Sequence, residues 1–273
     1  MSTPQKERRF KLTIEYDGTE FVGWQTQPSG RSVQTILKGV LERIFKTKVK
    51  LDGSGRTDSG VHALGQVASV SAVTRMASEE LFRAVNSLLP GDVRIARVEE
   101  VSADFDPRRD ACGRWYRYYV RYSPTVFERR YSFPYPHTIA QDNVRKATQQ
   151  FLGRHDFASF CSAEHQGPTE KTLWALDLNF HDDGWEIDAL APSFLHRMVR
   201  MIVGTLLEVG NAAINPESIG EIFAGGDNQL AGPTAPPQGL FLMRVFYPPE
   251  EPLDLYDRLR PSVGSGLPPK FSL

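Results

Sequence analysis

The sequence predicts an α+β fold made of two β-α-β-β-α-β halves with mostly antiparallel sheets. Three observations predict it. Strand-like alternation and helix-like periodicity follow one another in the same order twice along the chain. Glycine, proline and aspartate clusters punctuate those segments where turns are needed. The 273 residues, 40% of them apolar, suffice for one large domain or two of ordinary size.

In the first half, "RFKLTIEY" (9–16) alternates, with Phe10, Leu12, Ile14 and Tyr16 on one face of a half-buried strand. Residues 32–45 place Val33, Ile36, Leu37, Val40, Leu41 and Ile44 at helical spacing, with Ser32 as N-cap. Short strands follow near 48–52 and 64–72. A helix over 78–89, capped at Ser78, stops at Pro90-Gly91. "DVRIARVEEV" (92–101) is the closing strand, completing the ferredoxin-like unit.

The second half repeats the order without repeating the residues. "GRWYRYYVRY" (113–122) is a strand, and 141–153 a helix opened by a capping box at Thr138 and Gln141. Residues 171–180 alternate, and Asp182-Asp183-Gly184 turns them into "WEIDALA" (185–191). A long helix covers 193–210. A short one covers 215–223, with Asn215 at its cap and Pro216 at its first position. Residues 225–238 are a surface loop, and 239–247 the last strand. The two units imply a pseudo-symmetric pair around a central basic cleft. The expected divisions are a flexible 1–8, a first half over 9–105, a second over 106–247, and a tail over 248–273. That tail carries six prolines and reads as disordered.

No run of eighteen apolar residues occurs, so no membrane-spanning helix is expected. The first ten residues carry charge with no apolar stretch behind them, unlike a signal peptide. Two cysteines, Cys112 and Cys161, fit a reducing cytoplasm better than a disulfide scaffold. Cys161 and His165 have ligand spacing, but no second pair accompanies them, so no metal site is expected.

Net charge is −1, but its distribution is uneven. Residues 107–131 hold seven arginines against Asp110 and Glu128, a local charge of +5, with seven aromatics interleaved. Alternation sets Arg114, Tyr116, Tyr118, Val120 and Tyr122 on one face of the 113–122 strand. Trp115, Arg117, Tyr119 and Arg121 take the other. Either this is aromatic core backed by a solvated arginine face, or the aromatics stack bases while arginines hold phosphates. On the 193–210 helix, Arg197, Arg200, Gly204 and Glu208 form a narrow polar stripe on an otherwise apolar surface. A cation there needs an anion or a path to water, and a neighbouring carboxylate would be held ionised by it.

"GSGRTDSGVHALG" (53–65) suits neither strand nor helix. It has neither the Walker nor the dinucleotide-loop spacing. Asp58 is the one acid in that loop, and a lone aspartate can serve as nucleophile or base without a metal.

Six stretches together carry a family resemblance: "YDGTEFVGWQTQP" (16–28), "VQTILKGVLERI" (33–44), "GSGRTDSGVHALGQV" (53–67), "YRYYV" (116–120), "GRHDFASF" (153–160) and "SFLHRMVRMIVGTLLEVG" (193–210). In this order they resemble the tRNA pseudouridine synthases of the TruA type, over about residues 10–247. The resemblance implies isomerisation of uridine to pseudouridine at tRNA positions 38, 39 and 40, in the anticodon stem-loop. It implies a homodimer, tRNA as partner and no cofactor. It makes Asp58 the catalytic aspartate and Arg56 the residue filling the space left by the flipped base. Tyr116 would pack on the target uracil, and Arg200 would pair with the aspartate. Apart from the resemblance, the basic residues Arg114, Arg117, Arg121 and Arg197 are the expected contacts to the RNA backbone. Trp115 departs from the family pattern, where a basic or small residue is expected. Attack at C1′, addition at C6 and removal of a ribose proton are all open to the aspartate. A non-catalytic RNA binder would gain nothing from an acid in a basic groove, and a phosphoryl-transfer enzyme would need clustered acids for magnesium, which are missing.

Overall fold

A computed structural model describes residues 7–269, so the expectations for 1–6 and 270–273 lie outside the described residues. The described residues divide into two compact units, the first holding 7–112 together with Leu242–Pro249, the second holding Gly113–Phe241 and 250–269. Strands are mostly antiparallel, and six α-helices occur among the described residues.

The first unit runs β1 (Glu7–Tyr16), α1 (Val33–Phe45), β2 (Leu51–Gly53), β3 (His62–Val73), α2 (Ser78–Asn86) and β4 (Val93–Val101). Its strands lie in the order β4-β1-β3, with β2 on β3, all antiparallel. Leu12 stands opposite Ala68 on one side and Val98 on the other. Phe10, Leu12 and Ile14 are fully buried, as alternation requires, and α1 adds Val33, Leu37 and Leu41. Each such side chain contributes roughly 1.5–3 kcal/mol on leaving water. Glu7 and Arg8 are the first residues of β1, not part of a flexible terminus. Ser32 caps α1 by accepting from the Thr35 amide. The α2 cap is Ala77, one residue earlier than expected, because the Glu80 carboxylate accepts from the Ala77 amide at 2.8 Å.

The second unit runs β5 (Gly113–Arg121), β6 (Phe133–Pro134), α3 (Gln141–Phe151), β7 (Gly153–Asp156), β8 (Glu170–Leu173), β9 (Ala175–His181), β10 (Gly184–Ala191), α4 (Met198–Gly210) and α5 (Ile219–Gly225). The strand expected over 171–180 breaks at Trp174, whose amide donates to the Leu190 carbonyl. Its first part pairs instead with β7. In the β5-β10-β9 ladder, Trp115, Arg117 and Tyr119 stand opposite Leu190, Asp188 and Glu186. The capping box at Thr138 does not form. Ala140 is the α3 N-cap, and its amide donates to the Gly210 carbonyl at the end of α4. The last strand is β11 (Leu240–Phe246), whose residues from Leu242 on belong to the first unit, beside β3.

Two further expectations are overturned. The long helix begins at Met198, not 193. Arg197 precedes it with φ +63, and the His196 carbonyl accepts from the Ser162 amide instead of starting a helical ladder. The tail expected to be disordered forms α6 (Pro252–Leu259) and a 3-10 turn, Arg260–Ser262. Composition misled because Pro252 and Pro261 sit at helix starts and Pro248 and Pro249 in a turn, where a missing N–H costs little. Tyr256, fully buried, anchors the segment on Trp115, edge to face with ring centroids 5.3 Å apart.

Candidate functional site

In the first unit, the 54–61 loop is held from two sides. Ser54 donates through Oγ to the Gln66 side-chain oxygen at 2.7 Å, and its amide donates to the Val67 carbonyl. Gln66 returns a bond from Nε2 to the Gly55 carbonyl. The other end is tied to the segment after β1. The Trp24 amide donates to the Thr57 carbonyl, and the Gly60 amide and Ser59 hydroxyl both donate to the Phe21 carbonyl. A turn closes between them, the Val61 amide donating to the Asp58 carbonyl, with Gly60 at φ +78. Gly23, at φ +105, must lack a side chain, since a Cβ would lie 2.5 Å from the Thr57 carbonyl oxygen. Thus "YDGTEFVGW" and "GSGRTDSGVH", separate in sequence, are one construction in space.

The loop presents Asp58 half-exposed and Arg56 exposed, while Thr57 between them is buried. Behind it, His62 is buried, accepts at Nδ1 from the Gly18 amide, and lies 3.2 Å from the Asp17 carboxylate. Such a loop offers a carboxylate on backbone whose polar groups are already satisfied, so a bound group would find it pre-formed.

In the second unit, Tyr116 lies half-buried on β5, edge to face on Phe194 at 5.2 Å. Beside it, Arg114 donates to the Pro192 carbonyl. Arg200 is in the first turn of α4, half-buried, and donates from Nε to the Ala235 carbonyl at 2.7 Å. Tyr118 donates to the neighbouring Pro236 carbonyl, and burial pushes its phenol far above the usual range against the opposing charge of Arg200. The 225–238 stretch is therefore more than a surface loop, since residues 232–236 lie against α4 and β5. Arg197 is exposed.

Arg117 and Arg121 leave the set of RNA-backbone candidates. They are 4% and 2% exposed. Arg117 forks onto Asp188, Nε and Nη2 each at 2.7 Å from a carboxylate oxygen, and Trp115 donates to the same carboxylate at 2.6 Å. Burial works against the Arg117 charge, but the hydrogen bonds and attraction of Asp188 outweigh it and raise its pKa. Burial also pushes the Asp188 carboxyl up, with Arg117 and Trp115 pulling against it. Arg121 pairs with Glu186 at 2.8 Å. The C-terminal segment seals both pairs, Val263 and Ser265 accepting from Arg117 and Arg121 through their carbonyls. The face expected to be solvated is an ionic core, and Trp115 belongs to it.

Asp188 and Glu186 went unnoticed in the sequence because "WEIDALA" alternates like any half-exposed strand. The available signal was the pairing itself: two arginines four apart on one face of β5 and two acids two apart on one face of β10, strands that the sheet sets side by side. Of the seven aromatics in 107–131, Trp115, Tyr118 and Tyr119 are buried core, and Phe127 is the most exposed at 83%. Among the described residues, no group of three or more His, Cys, Asp or Glu could hold a metal ion, and no helix is long and apolar enough to cross a membrane.

A family model described as tRNA pseudouridine synthase matches residues 12–108 and 147–248. A protein of Geobacillus sp. (strain WCH70) named tRNA pseudouridine synthase A is 42% identical over 244 residues, covering 88% of this chain and 98% of the relative. One of the same name from Exiguobacterium sibiricum is 39% identical over 242 residues, covering 88% and 97%. Among solved structures, a Cbf5-Nop10-Gar1 complex is similar with a TM-score of 0.34 at 9% identity, covering 85% of this chain and 57% of that one, a likeness too remote to carry an argument.

Proposed function

This chain belongs to the tRNA pseudouridine synthase family, isomerases acting on tRNA, and from that premise we propose that Asp58 is the carboxylate that isomerises uridine at positions 38, 39 and 40 of the anticodon stem-loop. One observation carries the reading: the acid in the matched motif is half-exposed on a loop whose backbone is held from both sides. The reaction breaks the N1–C1′ bond, turns the uracil, and joins C5 to C1′. The C5 proton leaves and N1 gains one, so nothing is oxidised and no redox cofactor is required. The target must leave its stack first, at about a few kcal/mol. Arg56, exposed beside Asp58, would offset part of that by filling the vacated space. Tyr116, its ring set by Phe194, would confine the detached uracil. Arg200, anchored through Nε, would keep the aspartate ionised. Arg114 and Arg197 remain the candidates for backbone phosphates. The ferredoxin-like plan of each unit, a homodimer and a cytoplasmic location belong to the same proposal, and a solution mass twice 30.7 kDa checks the dimer.

Asp58→Asn tests the reading. Tritium release from tRNA labelled at uridine C5 should vanish, while circular dichroism and tRNA affinity stay at wild-type values. Continued release would remove Asp58 from the chemistry.

A further inference from the structure

The loop around Asp58 is held by backbone bonds and by the side chains of Ser54, Ser59 and Gln66. One side-chain bond is different. Thr57 immediately precedes Asp58 and is 6% exposed, and its hydroxyl lies 2.8 Å from the Tyr16 hydroxyl at the end of β1. Tyr16 is itself 5% exposed, with Phe21 edge-on at 6.5 Å and Trp24 tilted against it at 6.4 Å. Phenylalanine and valine would fill these two places with nearly the same shape. Burying two hydroxyls instead costs free energy unless each is bonded. The sequence therefore spends polarity here for a bond that packing does not require.

The bond acts at a particular point. The Thr57 carbonyl accepts from the Trp24 amide, so this residue is gripped by its main chain and its side chain at once. Both grips come from the segment between Tyr16 and Trp24, and Tyr16 itself follows irregularities in β1 against both neighbours. Fixing residue 57 at two places removes rotation about its backbone. Asp58 hangs from that backbone and is the next residue along. A misplacement of about 1 Å at a reacting group is worth ~10²-fold in rate.

We infer that Tyr16 and Thr57 are positioning residues for the reaction, their paired hydroxyls fixing where the Asp58 carboxylate stands. The inference rests on the reading of Asp58 as the catalytic acid. Neither residue touches the substrate in this proposal. Their effect should therefore fall on the turnover of bound tRNA and leave its binding alone.

The test compares Thr57→Val, Thr57→Ser and Tyr16→Phe in the full chain, by tritium release at saturating and limiting tRNA. Thr57→Val and Tyr16→Phe should each lower kcat by roughly tenfold to a hundredfold with KM within about twofold. Thr57→Ser, which keeps the hydroxyl, should return kcat to within about threefold of wild type. The double variant Tyr16→Phe/Thr57→Val should be no slower than the slower single, because both remove the same bond. Wild-type kcat in Tyr16→Phe would overturn the inference. So would a serine variant as slow as the valine one, since packing and not the bond would then matter. If Thr57→Val fails to fold, Tyr16→Phe decides by the same kcat and KM criteria. Asp58→Asn is run alongside. Release that persists in Asp58→Asn sinks the catalytic reading, whereas loss there with wild-type Tyr16→Phe sinks only the positioning role.

Discussion

The Asp58 loop of the first unit and the β5–β10 pair of the second both combine acids with arginines, yet they use charge in opposite ways. In the loop, Arg56 is exposed and Asp58 half-exposed, while the polar backbone around them is bonded within the unit. On β5 and β10, Arg117, Arg121, Asp188 and Glu186 are all 4% exposed or less, and each finds its counter-charge there. A charge that keeps contact with water remains available to a ligand. A charge buried in a bidentate pair is committed to structure, because separating it would strand an ion in a medium that solvates it poorly.

The largest expected effect comes from stranding one of those ions. Asp188→Ala leaves the Arg117 guanidinium and the Trp115 indole N–H without their shared acceptor. Unfolding in urea should show a loss of about 3–5 kcal/mol, the usual cost of breaking a buried pair. The contrasting change, Asp58→Asn, should leave the urea midpoint nearly unmoved. Equal losses at the two sites would erase the distinction between presented and committed charge.

Ending the chain at residue 249 asks a narrower question, whether β5 depends on its cover. The truncation removes Tyr256 from Trp115 and the carbonyls that receive Arg117 and Arg121. The expected loss is about 2 kcal/mol, near the worth of one large buried side chain. A truncated chain as stable as the full one would mean that the segment rests on the sheet without supporting it.

How far each region was legible in the sequence follows from the same contrast. Local patterns carried the Asp58 loop: glycines and a single acid between two short strands mark a presented carboxylate without any knowledge of its neighbours. The fully buried face of β1 and the cap at Ser32 were legible for the same reason, since alternation and capping are properties of adjacent residues. The β5 face was not. Whether Arg117 is solvated depends on Asp188, 71 residues away, and on Val263, 146 residues away. No window of the sequence contains all three. The start of α4 failed similarly, because the apolar periodicity of 193–197 was overridden when the Ser162 amide took the His196 carbonyl. The tie between Tyr16 and Thr57 spans 41 residues and left no local trace beyond a tyrosine on a buried face.

The smallest effect sharpens the comparison at the level of single charges. If the seven arginines of 107–131 all met phosphates, the dependence of tRNA affinity on salt would be steep in proportion. With Arg117 and Arg121 bound to Asp188 and Glu186, two of them neutralise no phosphate and so release no counterions from the RNA. Each phosphate contact made by an exposed arginine contributes a slope of about 0.7–0.9 in log K against log salt. Arg197→Ala and Arg114→Ala should therefore each flatten the slope by nearly one, with affinity lowered alike for different tRNAs. Arg117→Met, where the protein stays folded, should weaken the fold and leave that slope where it was. A slope lowered as much by Arg117→Met as by Arg197→Ala would return Arg117 to the RNA interface and require the β5 face to open when tRNA binds.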